Sequence, residues 1–365
     1  MAKNDFIILE TYNPEWEKLA HAEIEQLKQT LSSSILTIEH IGSTAVKDMP
    51  AKPVIDLMIG VNDIRAAKKL IPIIEAQGYA YWKENPKTDR LFFVKGLPEK
   101  GGAGRSHHLH IVERHHYEYI VRPLFRDYLQ KNTLVSAAYA KLKQSLAQQY
   151  KEDREAYTVA KTDFINRISH LALIEAIRIT PLEANDMELM YRWFNQAHVQ
   201  HYYSLRAWTH DEVKNKLTPY LKKDSSVKGF IISARNEPIA YVQYCKLSFN
   251  PWPDQDFSDE IINRGVGIDF FIGEPSFIGQ GLGSKIITAF LEQIIWPTYE
   301  FCAADPDVSN IASINTLKKS GFTSHKIILD INPLNQPVKL QLMIKKRPDI
   351  FTLTHPSTLT STQEK

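Results

Sequence analysis

One segment in the second half of the chain, residues 267–284, limits the fold most strongly. It reads GIDFFIGEPSFIGQGLGS: an apolar strand, a short loop, and three glycines at alternate positions before an amphipathic helix over residues 284–295. Alternate glycines let backbone amides converge without interference from side chains. Amides gathered at the N-terminus of a helix form a site for pyrophosphate. We therefore predict a phosphate-binding turn between a strand and a helix.

A dinucleotide-binding fold is the first alternative for such a turn. That fold uses the pattern GxGxxG and an acidic residue about 20 positions downstream on a second strand. The segment GQGLGS lacks the last glycine of this pattern, and no acidic residue falls at the required place. The residues do not support a dinucleotide site.

Length and composition predict two soluble domains. A chain of 365 residues exceeds what one hydrophobic core usually supports. A net charge of +2 is too small to favour a nucleic-acid partner, and no apolar run approaches the length of a membrane span. Two cysteines, Cys245 and Cys302, are expected to be core residues in a reducing compartment. We expect a cytoplasmic protein without nucleic-acid or membrane partners; the composition does not indicate an oligomeric state.

Hydrophobic patterning stops and restarts near residue 175. We predict a first domain over residues 1–174, a second over residues 175–350, and a disordered, Ser/Thr-rich tail over residues 351–365. In the first domain we expect helices over residues 13–31, 64–77 and 121–174, and strands over residues 35–40, 53–61, 79–82, 91–94 and 107–113. In the second we expect strands over residues 176–180, 229–234, 238–245, 266–272 and 299–304. The fold class is α/β in the broad sense (α+β).

The second half resembles the GNAT acetyltransferases. The strand–turn–helix unit is followed by Asp305-Pro306, by Ser309-Asn310 and by KSGF at residues 319–322. Upstream, RWFNQAH at residues 192–198 and PIAYVQ at residues 238–243 extend the likeness, which is greatest to aminoglycoside 6′-N-acetyltransferases and related siderophore acetylases. The resemblance covers residues 176–325. It implies a splayed mixed sheet and acetyl-coenzyme A as cosubstrate.

The resemblance also implies where the cosubstrate lies. Its phosphates would bind the backbone amides of six residues: Gly279, Gln280, Gly281, Leu282, Gly283 and Ser284. Its pantetheine arm would pair with the open edge of the strand that ends at Ile272, and Asn310 would help to hold that arm. Relatives commonly protonate the leaving thiolate with a tyrosine, but Leu317 stands at that position. Asn315, Ser313 or water are the alternatives.

Two aspartates are the candidate catalytic residues. Alternation along a strand points Asp269 to the face opposite Ile268 and Phe270. A carboxylate there is suited to accept the proton of an amine, directly or through water. Asp305 follows the neighbouring strand at its C-terminal end, where ligands gather in open sheets. The resemblance places both aspartates in the acceptor pocket.

An acidic loop with aromatic residues precedes the motif strand: NPWPDQDFSDEIINR, residues 250–264. Trp252, Asp254 and Asp256 suit a polycationic amino sugar through charge and ring contacts, although a solvated loop is the plainer interpretation. Tyr202 and Tyr203 would form an opposite wall or pack in the core. The aminoglycoside 6′-amine is the leading acceptor, and a lysine-like or siderophore amine is the alternative.

The first half resembles the GrpB family, a branch of the nucleotidyltransferase-like fold. The likeness rests on EHIGSTAV at residues 39–46 and AKPVIDLMIG at residues 51–60, and covers residues 8–170. It implies a mixed sheet with helices and a ligand site of six residues: Gly42, Ser43, Lys52, Asp56, His108 and His110.

Active nucleotidyltransferases use Gly-Ser to bind a triphosphate and two carboxylates, one residue apart, to hold divalent metal. Here Asp56 is followed by Met58 where the second carboxylate belongs. We therefore expect a nucleotide or other phosphate ligand to be bound rather than transferred. No metal ligands are assigned, and a divalent metal in this half stays an open question. A nucleotidyltransferase whose second half only senses acetyl-coenzyme A is the competing hypothesis.

Overall fold

The computed structural model describes residues 7–31, 34–97, 104–249 and 251–349. The chain divides into two compact units, one comprising residues up to Ile177 together with Ala234–Glu237, the other comprising Arg178–Ser233 and the chain from Pro238 onward. The predicted domain limits at residues 174 and 350 stay predictions, and the predicted tail lies outside the described residues. None of the described helices is both long and apolar enough to cross a membrane.

The first unit is a five-stranded mixed sheet with helices. Its strands are β1 (Thr37–Ile41), β2 (Ile55–Val61), β3 (Tyr79–Tyr81), β4 (Leu91–Lys95) and β5 (His107–Glu113). Its helices are α1 (Glu15–Leu31), α2 (Ile64–Ala67), α3 (Ile71–Glu75), α4 (Tyr117–Lys131), α5 (Thr133–Gln149), α6 (Arg154–Ala160) and α7 (Thr162–Ala176). The strand order is β1-β2-β5-β4-β3, and β2 pairs with β5 in parallel.

Strand alternation gives this sheet one apolar and one polar face. Leu57, Ile59, Leu109 and Ile111 are buried in the hydrophobic core that also contains residues of α1. The residues between them along β2 and β5, including Asp56, point to the opposite face. That face carries the polar residues of the first candidate site.

Two predicted helices of the first unit are interrupted. The helix expected over residues 64–77 is α2, a short 3₁₀ turn and α3, in which Pro72 occupies one of the first two positions. Proline has no backbone N–H to continue a helix, so the break falls before it. The helical region expected over residues 121–174 is four separate helices, α4 to α7.

The second unit is a seven-stranded mixed sheet. Its strands are β6 (Ile177–Pro181), β7 (Val227–Ala234), β8 (Glu237–Lys246), β9 (Gly265–Ile272), β10 (Phe301–Ala304), β11 (Thr323–Ile331) and β12 (Pro337–Lys346). Its helices are α8 (Met187–Phe194), α9 (Ala197–Val199), α10 (His210–Leu217), α11 (Asp259–Arg264), α12 (Gly283–Phe290) and α13 (Ile311–Lys319). The order is β11-β12-β10-β9-β8-β7-β6, with β9 and β10 parallel. The fold class is thereby confirmed for both units.

Two features of the second unit differ from the expected elements. The sequence did not predict the hairpin of β11 and β12. In the structure β12 pairs with β10 in antiparallel orientation. The acidic loop was expected to be irregular to its end, but its last six residues form α11, whose N-cap Ser258 accepts a hydrogen bond from the amide of Ile261. A serine N-cap is a local signal for the start of a helix. It was overlooked in the sequence because the surrounding acidic residues are typical of a solvated loop.

Candidate functional site

The glycine turn has the backbone shape that its sequence requires. After β9 the chain makes a 3₁₀ turn, and Gly279 and Gly281 then adopt φ angles of 75° and 69°. A side chain in this left-handed region costs roughly 1–2 kcal/mol. A Cβ added to Gly283 would lie 2.9 Å from Cγ2 of Thr316, so the first residue of α12 packs closely on α13. The turn leads directly into α12, whose first N–H groups, as in any helix, have no partners within the helix.

The strand edge beside this turn extends past its pairing. The register of β9 with β10 ends at Gly267 and Ala303, whereas β9 continues for five residues, to Ile272. This is the splayed edge that the resemblance implied. The ring nitrogen Nε2 of His198 lies 2.8 Å from the carbonyl oxygen of Ile272. A carbonyl only accepts, so Nε2 of His198 carries the hydrogen and fixes the end of the strand.

Asn310 lies at the N-terminus of α13. Its side-chain oxygen accepts a hydrogen bond from the amide of Ser313 at 3.1 Å, which makes it the N-cap of that helix. The residue therefore has a structural task whether or not it also holds a pantetheine arm, which stays a prediction.

The candidate catalytic residues lie on one face of the sheet. In the register of β8 with β9, Gln243 is opposite Asp269 and Cys245 is opposite Gly267. Asp305 directly follows β10, two residues after Ala303, which is opposite Gly267. Because partners opposite each other share a face, these side chains line one surface.

A hydrogen-bonded network holds Asp269. Nε2 of Gln243 donates to a carboxylate oxygen of Asp269 at 2.8 Å. The amide oxygen of Gln243 accepts from the hydroxyls of Tyr203 at 3.2 Å and Tyr241 at 3.0 Å. Two tyrosine donors leave Gln243 only its N–H groups to offer, so its orientation is determined. Asp269 therefore faces a fixed donor on one side.

The two aspartates have raised pKa values. Asp269 keeps part of its surface exposed, but protein atoms surround its carboxyl group and limit its hydration, which raises its pKa. Burial and the negative charge of Asp269 raise the pKa of Asp305 to about 8. Nε1 of Trp252 donates to Asp305 at 2.7 Å and opposes that shift. At neutral pH Asp305 therefore keeps its proton, which leaves Asp269 as the carboxyl of the pair that is suited to accept one.

Replacement of Trp252 by phenylalanine tests this arrangement. Phenylalanine keeps an aromatic ring at this position, although it lacks the outer indole carbon that lies nearest to Gly267, and the N–H donor to Asp305 is lost. Because that donor favours the charged carboxylate, the pKa of Asp305 should rise further above about 8, by about one unit or less. Carboxyl-carbon NMR titration, assigned with Asp305→Asn, measures it. An unchanged or lowered pKa would contradict the prediction.

The acidic loop carries a counter-charge that the sequence did not indicate. Nζ of Lys326, on β11, lies 3.0 Å from Asp254 and 3.2 Å from Asp256. Both aspartates keep exposed side chains, at 79% and 72% of the full area. The loop therefore offers carboxylates to solvent, but one ammonium group offsets part of their charge.

The predicted aromatic pair separates. Tyr203 packs in the core with Phe194 and Phe271 and directs only its hydroxyl towards Gln243. Tyr202 is 38% exposed and donates to the carbonyl oxygen of Ser309 at 3.2 Å. Tyr203 is therefore a core residue, whereas Tyr202 is exposed and available to a ligand.

The structure agrees that the residue at the tyrosine position of relatives does not protonate the thiolate. Leu317 is buried at 1% exposure and has no polar group. Ser313 is half-buried and Asn315 is exposed on the same helix, α13. The choice among Ser313, Asn315 and water stays open.

The predicted ligand residues of the first unit surround Asp56. A Cβ on Gly42, whose φ is 75°, would lie 2.4 Å from a carboxylate oxygen of Asp56, so the Gly-Ser backbone lies directly on that side chain. Nδ1 of His108 lies 2.9 Å from Asp56. In the register of β2 with β5, Asp56 is opposite His108 and Met58 is opposite His110. Lys52 lies over the ring of Tyr157, at 4.8 Å from its centroid.

Comparison with known proteins assigns the first unit. A family model described as GrpB protein matches residues 6–170. A protein of Alkalihalophilus pseudofirmus named glutamate-rich protein GrpB is 31% identical over 163 residues, which are 44% of this chain and 93% of that protein. The chain belongs to the GrpB family. A UPF0157 protein of Pseudomonas aeruginosa is 39% identical over 172 residues, 47% of this chain and 70% of that protein.

The second unit of this GrpB-family chain is an acetyltransferase domain. A family model described as acetyltransferase (GNAT) domain matches residues 183–329. The aminoglycoside N(6′)-acetyltransferase type 1 of Klebsiella pneumoniae is 27% identical over 154 residues, 40% of this chain and 74% of that protein. Both predicted family memberships and the predicted enzyme class, a GNAT-type N-acetyltransferase, are confirmed.

The GrpB domain does not fit a two-metal centre. Met58, at the position of a second carboxylate, is buried at 1% exposure. Nη1 of Arg122 lies 3.4 Å from Nε2 of His110, and this positive group disfavours a cation there. Within the described ranges, no group of three or more His, Cys, Asp or Glu side chains is arranged to hold a metal ion.

Sequence reasoning missed three residues of the acetyltransferase domain. Gln243 orients Asp269, His198 fixes the end of β9, and Lys326 offsets the acidic loop. The first two lie in the segments that carry the GNAT likeness, so a strand register would have been enough to find Gln243. Lys326 had no signal, because nothing in the sequence places β11 beside residues 254–256.

Proposed function

We propose that the acetyltransferase domain transfers an acetyl group from acetyl-coenzyme A to an amine of a small cationic substrate. One observation carries the proposal: Asp269 and Asp305, with raised pKa values, share an open sheet face beside the splayed end of β9. The glycine turn and α12 follow that same strand. A site for a diphosphate and a site for a base therefore belong to one continuous segment.

The chemistry follows from the states of the two carboxyls. Asp269 accepts a proton from the substrate ammonium, directly or through water, and the neutral amine attacks the thioester carbonyl. A tetrahedral oxyanion forms, with strand amides near Ile272 as its donors. As it collapses, the carbon–nitrogen bond stays and the carbon–sulfur bond breaks. The positively charged nitrogen loses one proton, and the departing thiolate takes up one proton, so the transfer balances. No covalent intermediate with the enzyme is required.

An aminoglycoside 6′-amine is the proposed acceptor. The likeness to an aminoglycoside acetyltransferase and the exposed carboxylates of Asp254 and Asp256 support it. Trp252, half-buried at the edge of the site, offers a ring for the carbon–hydrogen surface of a sugar. These features recognise positive charge and a saturated ring together.

Release of coenzyme A thiol across a panel of amines tests the proposal. The panel contains aminoglycosides, polyamines, lysine and hydroxylysine derivatives. We expect turnover of aminoglycosides that have a 6′-amine and none of those with a hydroxyl at that position. Turnover of lysine-type or siderophore amines alone would replace the acceptor, and no turnover of any amine would overturn the proposal.

The acidic loop gives a graded prediction for the same substrates. The double change Asp254→Asn with Asp256→Asn should raise KM about threefold with little change in kcat, because exposed pairs contribute about 1 kcal/mol or less. The effect should fade at high salt. Lys326→Met, which removes the counter-charge, should lower KM instead. Equal KM values for all three proteins would show that the loop does not attract the substrate.

A further inference from the structure

A second cluster of polar groups, in the GrpB domain, has no part in acetyl transfer. Its centre is the contact between Asp56 and Nδ1 of His108. Burial raises the pKa of Asp56, but the hydrogen bond from His108 and nearby positive charges outweigh it and lower the pKa to about 2. Asp56 is therefore an ionised acceptor, and the Nδ1 atom of His108 must carry the hydrogen. In the neutral ring this leaves Nε2 with a lone pair.

That lone pair is turned inward without a partner. Among the residues that the structure describes, Nε2 of His108 and Nδ1 of His110 are buried and form no hydrogen bond. Buried polar atoms in folded proteins nearly always have partners, so these two atoms are available to hydrogen-bond a ligand or a water molecule.

Two lysine side chains of the same unit lie over one aromatic ring. Nζ of Lys161 and Nζ of Lys52 lie 3.9 Å and 4.8 Å from the centroid of the Tyr157 ring. Burial, Lys52 and Arg154 lower the pKa of Lys161 to about 8, and Asp56 opposes that shift. Lys161 is thus near both the carboxylate and two further cations.

A third lysine lies near Lys161. Lys143 is buried at 2% exposure, donates to the carbonyl oxygen of Pro50, and has its pKa lowered to about 7 by burial and by Lys161. Within residues 7–31, 34–97, 104–249 and 251–349, neither Lys143 nor Lys161 forms an ion pair with a carboxylate. Burial without a carboxylate partner disfavours the charged form of both lysines, and an anionic ligand would offset that cost.

A metal cation would make this charge imbalance worse. Lys161 and Lys52 already lie close together near one ionised carboxylate, and Met58 supplies no second one. The polar groups instead match a phosphate, which offers negative charge to lysines and, in its protonated forms or through a neighbouring hydroxyl, a hydrogen to Nε2 of His108.

We infer that the GrpB domain binds a phosphate-bearing anion directly, through Lys161 and Lys52 beside the Asp56–His108 pair, without a divalent cation. The backbone of Gly42 and Ser43, which lies against Asp56, closes the site on one side. This site is separate from the glycine turn, and the inference does not depend on acetyl transfer.

Calorimetric titration of the full chain with inorganic pyrophosphate, with EDTA present throughout, tests the inference. We expect binding that Lys161→Met weakens by about tenfold or more, as the loss of a hydrogen bond to a charged group implies. Lys161→Arg, which keeps the positive charge and its N–H donors, should retain binding of the anion. Lys69→Met removes an exposed lysine from the same domain and is the matched control, with unchanged binding.

Other outcomes are decisive as well. Pyrophosphate bound at the glycine turn of the acetyltransferase domain would survive Lys161→Met but weaken in Gly281→Ala. The inference is wrong if all pyrophosphate binding survives Lys161→Met and weakens in Gly281→Ala. It is also wrong if binding requires added Mg²⁺ or Mn²⁺. Thermal melting of each variant shows whether a loss of binding reflects a loss of folding. If Lys161→Met is unfolded, loss of binding in a folded Lys161→Arg would also overturn the inference.

Discussion

Asp269→Asn should lower kcat/KM for amine acetylation by about 10²- to 10⁴-fold, the usual contribution of a positioned general base. Asparagine has nearly the same shape and can still accept the hydrogen bond that Gln243 donates to Asp269 at 2.8 Å. The variant should therefore fold and bind acetyl-coenzyme A normally. What it lacks is a group that can take the proton of the substrate ammonium.

The pH dependence separates this role from a structural one. A general base acts when deprotonated, so the rate falls as pH drops through the pKa of Asp269. Burial raises that pKa, so the acid limb should lie above the range of an ordinary carboxyl. In Asp269→Asn this limb should vanish, and the residual rate should rise with pH as the substrate amine loses its own proton.

Asp211→Asn is the matched control for this experiment. Asp211 is an exposed residue in the first turn of α10, in the same domain. It should keep the rate and the acid limb of the unchanged protein. Full activity of Asp269→Asn over the whole pH range would show that the base has been assigned to the wrong residue.

Gly281→Ala should weaken acetyl-coenzyme A binding by about tenfold or more. At a φ of 69° an L-residue is strained by roughly 1–2 kcal/mol. The turn can relieve this strain only by moving the amides at the start of α12, and about 1.4 kcal/mol corresponds to a tenfold change in affinity. Calorimetry with acetyl-coenzyme A measures the effect, and KM for the cosubstrate should rise in parallel.

A second glycine of the same domain provides the control. Gly321 has a φ of 88° and follows α13, outside the turn. Gly321→Ala should lower the melting temperature about as much as Gly281→Ala and leave acetyl-coenzyme A binding unchanged. If both variants bind the cosubstrate as tightly as the unchanged protein, the glycine turn is not the diphosphate site.

Local parts of the acetyltransferase site were open to prediction from the sequence. The strand β9, the turn with its glycines and the helix α12 follow from hydrophobic spacing and from backbone angles that only glycine adopts without strain. The outward direction of Asp269 follows from alternation along one strand. Each of these depends on residues close together in the chain.

Other parts depended on contacts between distant segments. Gln243 lies beside Asp269 only because β8 and β9 pair in one register, across 26 residues of chain. Trp252 reaches Asp305 across 53 residues. A shift of one residue would turn Gln243 to the other face of the sheet.

By itself the sequence determined the two families, the fold class and the glycine turn, since motif spacing and backbone restriction are properties of short segments. Tertiary structure alone decided the ionisation states. Burial together with its neighbour's charge keeps Asp305 protonated near neutral pH, and Asp56 stays ionised where His108 donates to it. The ionisation state of a carboxyl depends on which charged groups and hydrogen-bond donors lie next to it and on how much water is excluded around it. Only the folded chain determines these neighbours and this burial.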